Sequence, residues 1–154
     1  MSYLSTLPLI YSYRRATTIQ TTKHHDRKRH SILIVEDERI VAYDIRRSLE
    51  QLGYSIAGIV STGNAAIKAA HDMHPDVVLM DISLTGEIDG IQAASVIGET
   101  ANTPIIFVTG HSDTETMKLA GAKGNWGFVL KPVDFQELCY AIELAVSRAR
   151  MHPE

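Results

Sequence analysis

The stretch that decides the fold is Ser31 to Leu52, SILIVEDERIVAYDIRRSLEQL. Its opening run, Ile32 to Val35, is apolar without interruption, the pattern of a strand covered on both faces. After the acidic triplet Glu36-Asp37-Glu38, apolar residues return mostly at spacings of three and four: Ile40, Val41, Ile45, Leu49 and Leu52. A strand that passes through an acidic turn into an amphipathic helix is one βα unit.

The unit recurs along the chain. SILIVE, YSIAGIV, DVVLMD, TPIIFVT and GFVLK read as strands, and helical patterns follow them over Arg39–Gln51, Gly63–Met73, Gly90–Glu99, Thr114–Ala122 and Phe135–Arg150. Ser61 or Thr62, Asp113 and Asp134 are expected N-caps, with Gly53 and Gly124 as helix stops. Strict alternation predicts an α/β fold, a (βα)5 doubly wound five-stranded parallel sheet, because right-handed crossovers place helices on both faces. Ligands of such sheets bind outside the carboxyl ends of the strands.

With 154 residues, 45% of them hydrophobic, the chain can bury one sizeable core and is read as one domain. No run approaches the roughly 18 apolar residues of a membrane span. The start MSYLSTLPLIYSYRR lacks the ordered regions of a secretory signal, so the expectation is a cytoplasmic protein without a membrane partner. Cys139 is the single cysteine, which excludes an internal disulfide and a thiolate metal cluster, and it is read as a small core residue.

The net charge of -3 is unevenly spread. Arg14, Arg15, Lys23, Arg27, Lys28 and Arg29 against Asp26 give residues 1–30 a charge of +5; nine basic and seventeen acidic residues leave the remainder at -8. Residues 1–30 are therefore expected to be a basic, polar, disordered extension, 31–150 the folded domain and 151–154 a tail. A basic arm can contact nucleic acid, but a solvated segment is the simpler reading. His24, His25 and His30, and the helical pair His71 and His74, are likewise read as solvated rather than metal-binding.

Four strand ends carry the chemistry: Glu36-Asp37-Glu38, Asp81, Thr109-Gly110 and Lys131-Pro132. In a parallel sheet they share one edge. Carboxylates gathered there repel one another until protonated or bound to a cation, and hard oxygen ligands suit Mg²⁺. An aspartate beside such a cation can attack a phosphoryl group, and a lysine and a threonine hydroxyl can stabilise its oxygens. Glu38 is read only as a favourable charge at a helix start.

The segments ILIVEDE, PDVVLMDISLTGEIDG, PIIFVTG and GFVLKPVD, in this order, resemble the receiver domains of two-component response regulators over roughly Ser31 to Arg150. Asp37 and Asp81 stand 44 residues apart, Thr109 and Lys131 22 apart, in keeping with that family. The resemblance implies a flavodoxin-like sheet in strand order 2-1-3-4-5. It implies Asp81 as phosphoacceptor and Mg²⁺ held by Asp37, Asp81, Glu36 through water and the Ser83 carbonyl. It further implies Thr109 as switch hydroxyl, Lys131 as the ammonium that pairs with the phosphoryl group, a cis bond before Pro132, and Phe128 as the aromatic switch residue.

The resemblance also implies a sensor histidine kinase or phosphotransfer protein as donor. The output would be a downstream protein or a homodimer, met through the face of the fourth helix, fifth strand and fifth helix. Because the last predicted helix stops just before Glu154, no attached output domain is expected. Three features depart from the commonest pattern: Thr85-Gly86 where proline is usual, in a loop one residue longer; Phe128 in place of the frequent tyrosine; and Ser83 and His111 at positions that tune dephosphorylation. The competing reading is a Mg²⁺-dependent phosphatase working through an aspartyl phosphate. Such an enzyme needs a second aspartate at position 83, which is serine, and a substrate cap for which there is no insertion.

Overall fold

A computed structural model describes residues 30–110, 118 and 126–152. Five strands, β1 (Ser31–Val35), β2 (Ser55–Val60), β3 (Val77–Met80), β4 (Ile105–Thr109) and β5 (Trp126–Leu130), form one sheet in the order β2-β1-β3-β4-β5. Every neighbouring pair is parallel. The helices are α1 (Arg39–Gln51), α2 (Gly63–Met73), α3 (Gly90–Ala101) and α4 (Phe135–Met151). Residues 1–29 of the extension expected over 1–30, with His24 and His25, then His111, Asp113, Gly124, all but residue 118 of the helix expected over Thr114–Ala122, and tail residues 153–154 lie outside the described residues.

Alternation along each strand divides the core in two. Ile32, Ile34, Val77, Leu79, Ile106 and Val108 face α1 and α4, joining Ile45, Leu49, Leu138, Cys139 and Ile142. Leu33, Val35, Val78, Met80, Ile105 and Phe107 face α2 and α3, joining Ala66, Ala70, Ala94 and Ile97. Small alanines on α2 and α3 let both helices lie close to the sheet. Burial on both faces holds for β1, β3 and β4, but the edge strands β2 and β5 are only half-buried. An edge strand lacks a neighbour on one side, and continuous apolarity cannot reveal that position.

Local chemistry fixes the helix ends. The Thr62 side chain accepts from the Ala65 N–H, and Asp134 accepts from those of Gln136 and Glu137, as N-caps do. Asp89 and Gln92 form a capping box at the start of α3, while Gly53 follows α1 at φ 94°, a conformation open to glycine. Helix α3 runs two residues past the expected Glu99 before Asn102 turns left-handed to end it.

Two sequence readings are corrected. Ile40 belongs to the apolar pattern of α1 but is 81% exposed, because Ala42, Ile45 and Leu49 form the buried stripe. His30, read as solvated, is buried: its ring lies between Asp76, with Nδ1 4.0 Å from Oδ2, and Glu143, with Nε2 3.7 Å from Oε2. Packing therefore begins one residue before Ser31, where a polar residue has no periodicity to betray it. His71 is 78% exposed and contacts Asp72, as a solvated helix end should.

Phe107 sits on the central sheet with its ring stacked 5.3 Å from Phe128 and edge-on to Trp126 at 5.1 Å. Phe107→Ala should lower the unfolding free energy by about 3–5 kcal/mol. Ile40→Ala should change it by no more than about 0.5 kcal/mol. Urea denaturation of the two variants checks this contrast.

Candidate functional site

Strands β1 and β3 run side by side with Val35 paired to Met80, so the residues that follow them emerge together. Glu36, Asp37 and Asp81 each offer a carboxylate oxygen, all within 4.8 Å of one another. Glu36 and Asp81 are buried, at 4% and 7% exposure, and Asp37 is half-buried. Strand β5 brings the cation: Lys131 Nζ donates to Glu36 Oε2 at 2.8 Å and lies 3.6 Å from Asp81 Oδ2. A cis peptide bond follows, between Lys131 and Pro132.

Strand β4 ends beside it in Thr109, 1% exposed, whose carbonyl accepts from the Lys131 N–H at 2.8 Å. Phe128 is half-buried on β5, stacked on Phe107. Ser83, in the loop after β3, donates its N–H to Asp81 Oδ1 at 3.1 Å. Glu38 is the N-cap of α1 without a side-chain capping bond, and its N–H donates to Glu36 Oε1 at 3.1 Å. The fold thus brings together Glu36, Asp37, Asp81 and Lys131, with Ser83 in contact and Thr109 and Phe128 alongside on β4 and β5.

Sequence reading missed the contributions of the main chain. Besides the Glu38 and Ser83 amides, the Thr85 N–H donates to Asp37 Oδ2 at 3.3 Å. In the sequence Gly90 marks only a helix start. A Cβ on it would stand 2.0 Å from the carbonyl oxygen of Asp81, so α3 can begin this close only with hydrogen there. The glycine itself was the available signal; the amides leave none, because every residue but proline has one.

Burial raises the Glu36 carboxyl above its ordinary range and the nearby Asp81 charge adds to this, against the opposing bonds from Lys131 and Glu38. Burial works against the charge on Lys131, but the bond to Glu36 and the charges of Asp81 and Glu36 outweigh it, and the ammonium is held above its ordinary value. Among the described residues, one cation, in contact with Glu36 and Asp81, answers three carboxylates, and the remaining negative charge suits a hard divalent cation.

Fold and site together define a doubly wound α/β domain with an acidic pocket at the carboxyl edge of its sheet. The chain belongs to the response regulator receiver domain family, whose model matches residues 32–143. It is 37% identical over 119 residues to the transcriptional regulatory protein PdtaR of Mycobacterium tuberculosis, covering 77% of this chain and 58% of that protein. To the regulatory protein AtoC of Escherichia coli it is 34% identical over 128 residues, covering 80% of this chain and 26% of that one. The chain thus matches less than two thirds of these relatives' lengths. Among solved structures, the signal receiver domain of a modulated diguanylate cyclase from Desulfovibrio desulfuricans G20 superposes with a TM-score of 0.74 at 38% identity, covering 79% of this chain and 97% of that domain. Among the described residues, no helix is long and apolar enough to cross a membrane.

If the carboxylates repel as this geometry implies, removing one charge relaxes the site. Asp81→Asn should stabilise the metal-free protein by about 1 kcal/mol, the scale of two charges 4 Å apart in water. Thermal unfolding in a chelator checks it, and a lower melting temperature for the variant would contradict it.

Proposed function

We propose that this receiver domain is a phosphorylation-activated switch in which Asp81 accepts a phosphoryl group from a sensor histidine kinase or phosphotransfer protein. The observation that carries the reading is the grouping of Glu36, Asp37 and Asp81 within 4.8 Å under the Lys131 ammonium. An Asp81 carboxylate oxygen attacks phosphorus, the P–N bond to the donor imidazole breaks, and the leaving nitrogen takes up a proton. The product is an acyl phosphate on Asp81.

The donor set fits Mg²⁺: Asp37 and Asp81 by side chain, Glu36 through water and Ser83 by its carbonyl. When bound, the cation neutralises the carboxylates and the oxygens of the incoming phosphoryl group. Lys131 is placed to leave Glu36 for a phosphoryl oxygen on Asp81, starting 3.6 Å away. Thr109 ends the adjacent strand and supplies the hydroxyl that turns to the phosphoryl group. Its movement frees space for Phe128, whose ring changes packing against Phe107. The signal then reaches β5 and α4, where Tyr140 is 43% exposed, and shifts the domain between two conformations that differ in partner affinity. The partner is a downstream protein or a second copy of the chain, met through the face that includes β5, α4 and the helix expected over Thr114–Ala122.

Acetyl phosphate with Mg²⁺ should give one acid-stable, base-labile phosphoryl group per wild-type chain and none on Asp81→Asn, read by intact-protein mass spectrometry. Equal labelling of both, or sustained turnover of varied phosphomonoesters, would overturn the switch reading. Lys131→Ala should cut the labelling rate by about 100-fold or more.

The raised Glu36 carboxyl gives a pH dependence. Because its folded value lies above the unfolded one, its contribution to stability is full below the unfolded value and is lost as pH rises through the folded value. Mg²⁺ binding has the opposite sign, since it needs the carboxylate. Affinity should fall on acidification at a pH above the ordinary glutamate range, and Glu36→Gln should remove that step. Calorimetric Mg²⁺ titrations across pH check both.

A further inference from the structure

His30 is a buried titratable side chain that the phosphoryl site does not use. It stands at the amino edge of the sheet, away from the acidic pocket, and is 3% exposed. Its carbonyl accepts from the Ser55 N–H at 3.0 Å, which fixes the main chain where β1 and β2 begin. Its ring lies between two carboxylates. Nδ1 is 4.0 Å from Asp76 Oδ2, on the connection from α2 to β3, and Nε2 is 3.7 Å from Glu143 Oε2, on α4. Nδ1 is buried and has no hydrogen-bond partner among the described residues.

A neutral imidazole carries one N–H and one lone pair, whereas a carboxylate only accepts. In either tautomer, one ring nitrogen therefore turns a lone pair toward a carboxylate oxygen. Only the doubly protonated ring can donate in both directions. We infer that His30 is a proton-operated clasp between α4 and the start of β1: charged, the ring binds Asp76 and Glu143 together, and on losing a proton it releases one of them.

The two carboxylates are not equally free. Asp76 Oδ2 accepts from the Ser31 N–H at 2.7 Å, and the Asp76 N–H donates to the Ser31 carbonyl at 2.8 Å, so this residue is held against β1. Glu143 reaches the cluster from α4, its Oε1 accepting from the Tyr54 hydroxyl at 2.6 Å and its Oε2 facing the ring. Among the described residues, Asp76 and Glu143 are the charged groups that face His30, and the Tyr54 hydroxyl stands behind Glu143. Helix α4 is therefore the part that the clasp releases. Glu143 lies three residues beyond Tyr140, on the same side of the helix, so its release is felt where α4 meets solvent. The clasp does not depend on phosphorylation of Asp81.

The charged ring meets its carboxylates only in the folded chain, so its contribution to stability is full where the ring is charged and is lost as pH rises. Glu36 contributes a change of the same sign, so wild type is compared with His30→Gln and Glu143→Gln, which both leave Glu36 in place. On acidification from about pH 8 to about pH 5.5, the span in which histidine changes charge, the wild-type melting temperature should gain about 2 °C or more on that of His30→Gln. Glu143→Gln, which keeps an acceptor for Tyr54 but offers the ring no charge, should fall between them. Two NMR measurements on the wild type stand beside the variants and decide alone if His30→Gln does not fold. Both ring N–H protons of His30 should appear as slowly exchanging resonances at the acid end and only one at the alkaline end. Amide protection in the turn of α4 around Glu143, corrected for the intrinsic exchange rate, should fall severalfold over the same range. A gap between wild type and His30→Gln that stays flat with pH, a ring that keeps the same number of N–H protons throughout, or unchanged protection of α4 would overturn the clasp.

Discussion

Three carboxylates crowded within 4.8 Å and answered by one ammonium are the constraint on which the rest of the structure turns. Left alone, such a group would push the ends of β1 and β3 apart. Here the sheet resists: Ile32, Ile34, Val77 and Leu79 are locked on one face, and Leu33, Val35, Val78 and Met80 on the other. Burial of apolar area on both sides holds charged residues at a separation that water alone would not maintain. The strain falls on Glu36, whose carboxyl is raised, and on Lys131, whose charge is held in place by the same neighbours.

That arrangement explains why the site gathers where it does. Parallel strands end together, and the order β2-β1-β3-β4-β5 seats β1 and β3 side by side at the switch point between sequential directions. Asp81 then lies between the acidic end of β1 and the Thr109 and Lys131 ends of β4 and β5. In the proposed switch, changes at Asp81 would pass outward through β4, where Phe107 stacks on Phe128, to the edge strand. The acidic site and the proposed signalling surface are thus two or three strands apart and joined by packed side chains.

Much of this was legible in the residues. Uninterrupted runs such as VVLM and IIFVT can be buried only on both faces, and polar residues just beyond them must sit at strand ends. Glu36, Asp37, Asp81, Thr109 and Lys131 follow from that reading. Other features were not legible, for separate reasons. Ile40 fits a helical apolar pattern, but whether a position faces the sheet or solvent is set by how the helix is rotated against its neighbours. His30 is buried by Asp76 and Glu143, which come from distant parts of the chain. The amides of Glu38, Ser83 and Thr85 act through atoms that all residues but proline possess, so side-chain identity says nothing about them. Two of these three amides, those of Ser83 and Thr85, lie in the loop 82–89, where this chain departs from the commonest receiver pattern.

Burial first, and the charge of Asp81 after it, raise the Glu36 carboxyl, and a bound cation should offset both. Carbon-detected NMR titration of the Glu36 carboxyl, in chelator and then in saturating Mg²⁺, measures this most directly. Glu36 should protonate above the ordinary glutamate range without Mg²⁺ and well below that position with it. A Glu36 that titrates as an ordinary glutamate, unchanged by Mg²⁺, would contradict a cation site built on this buried carboxylate.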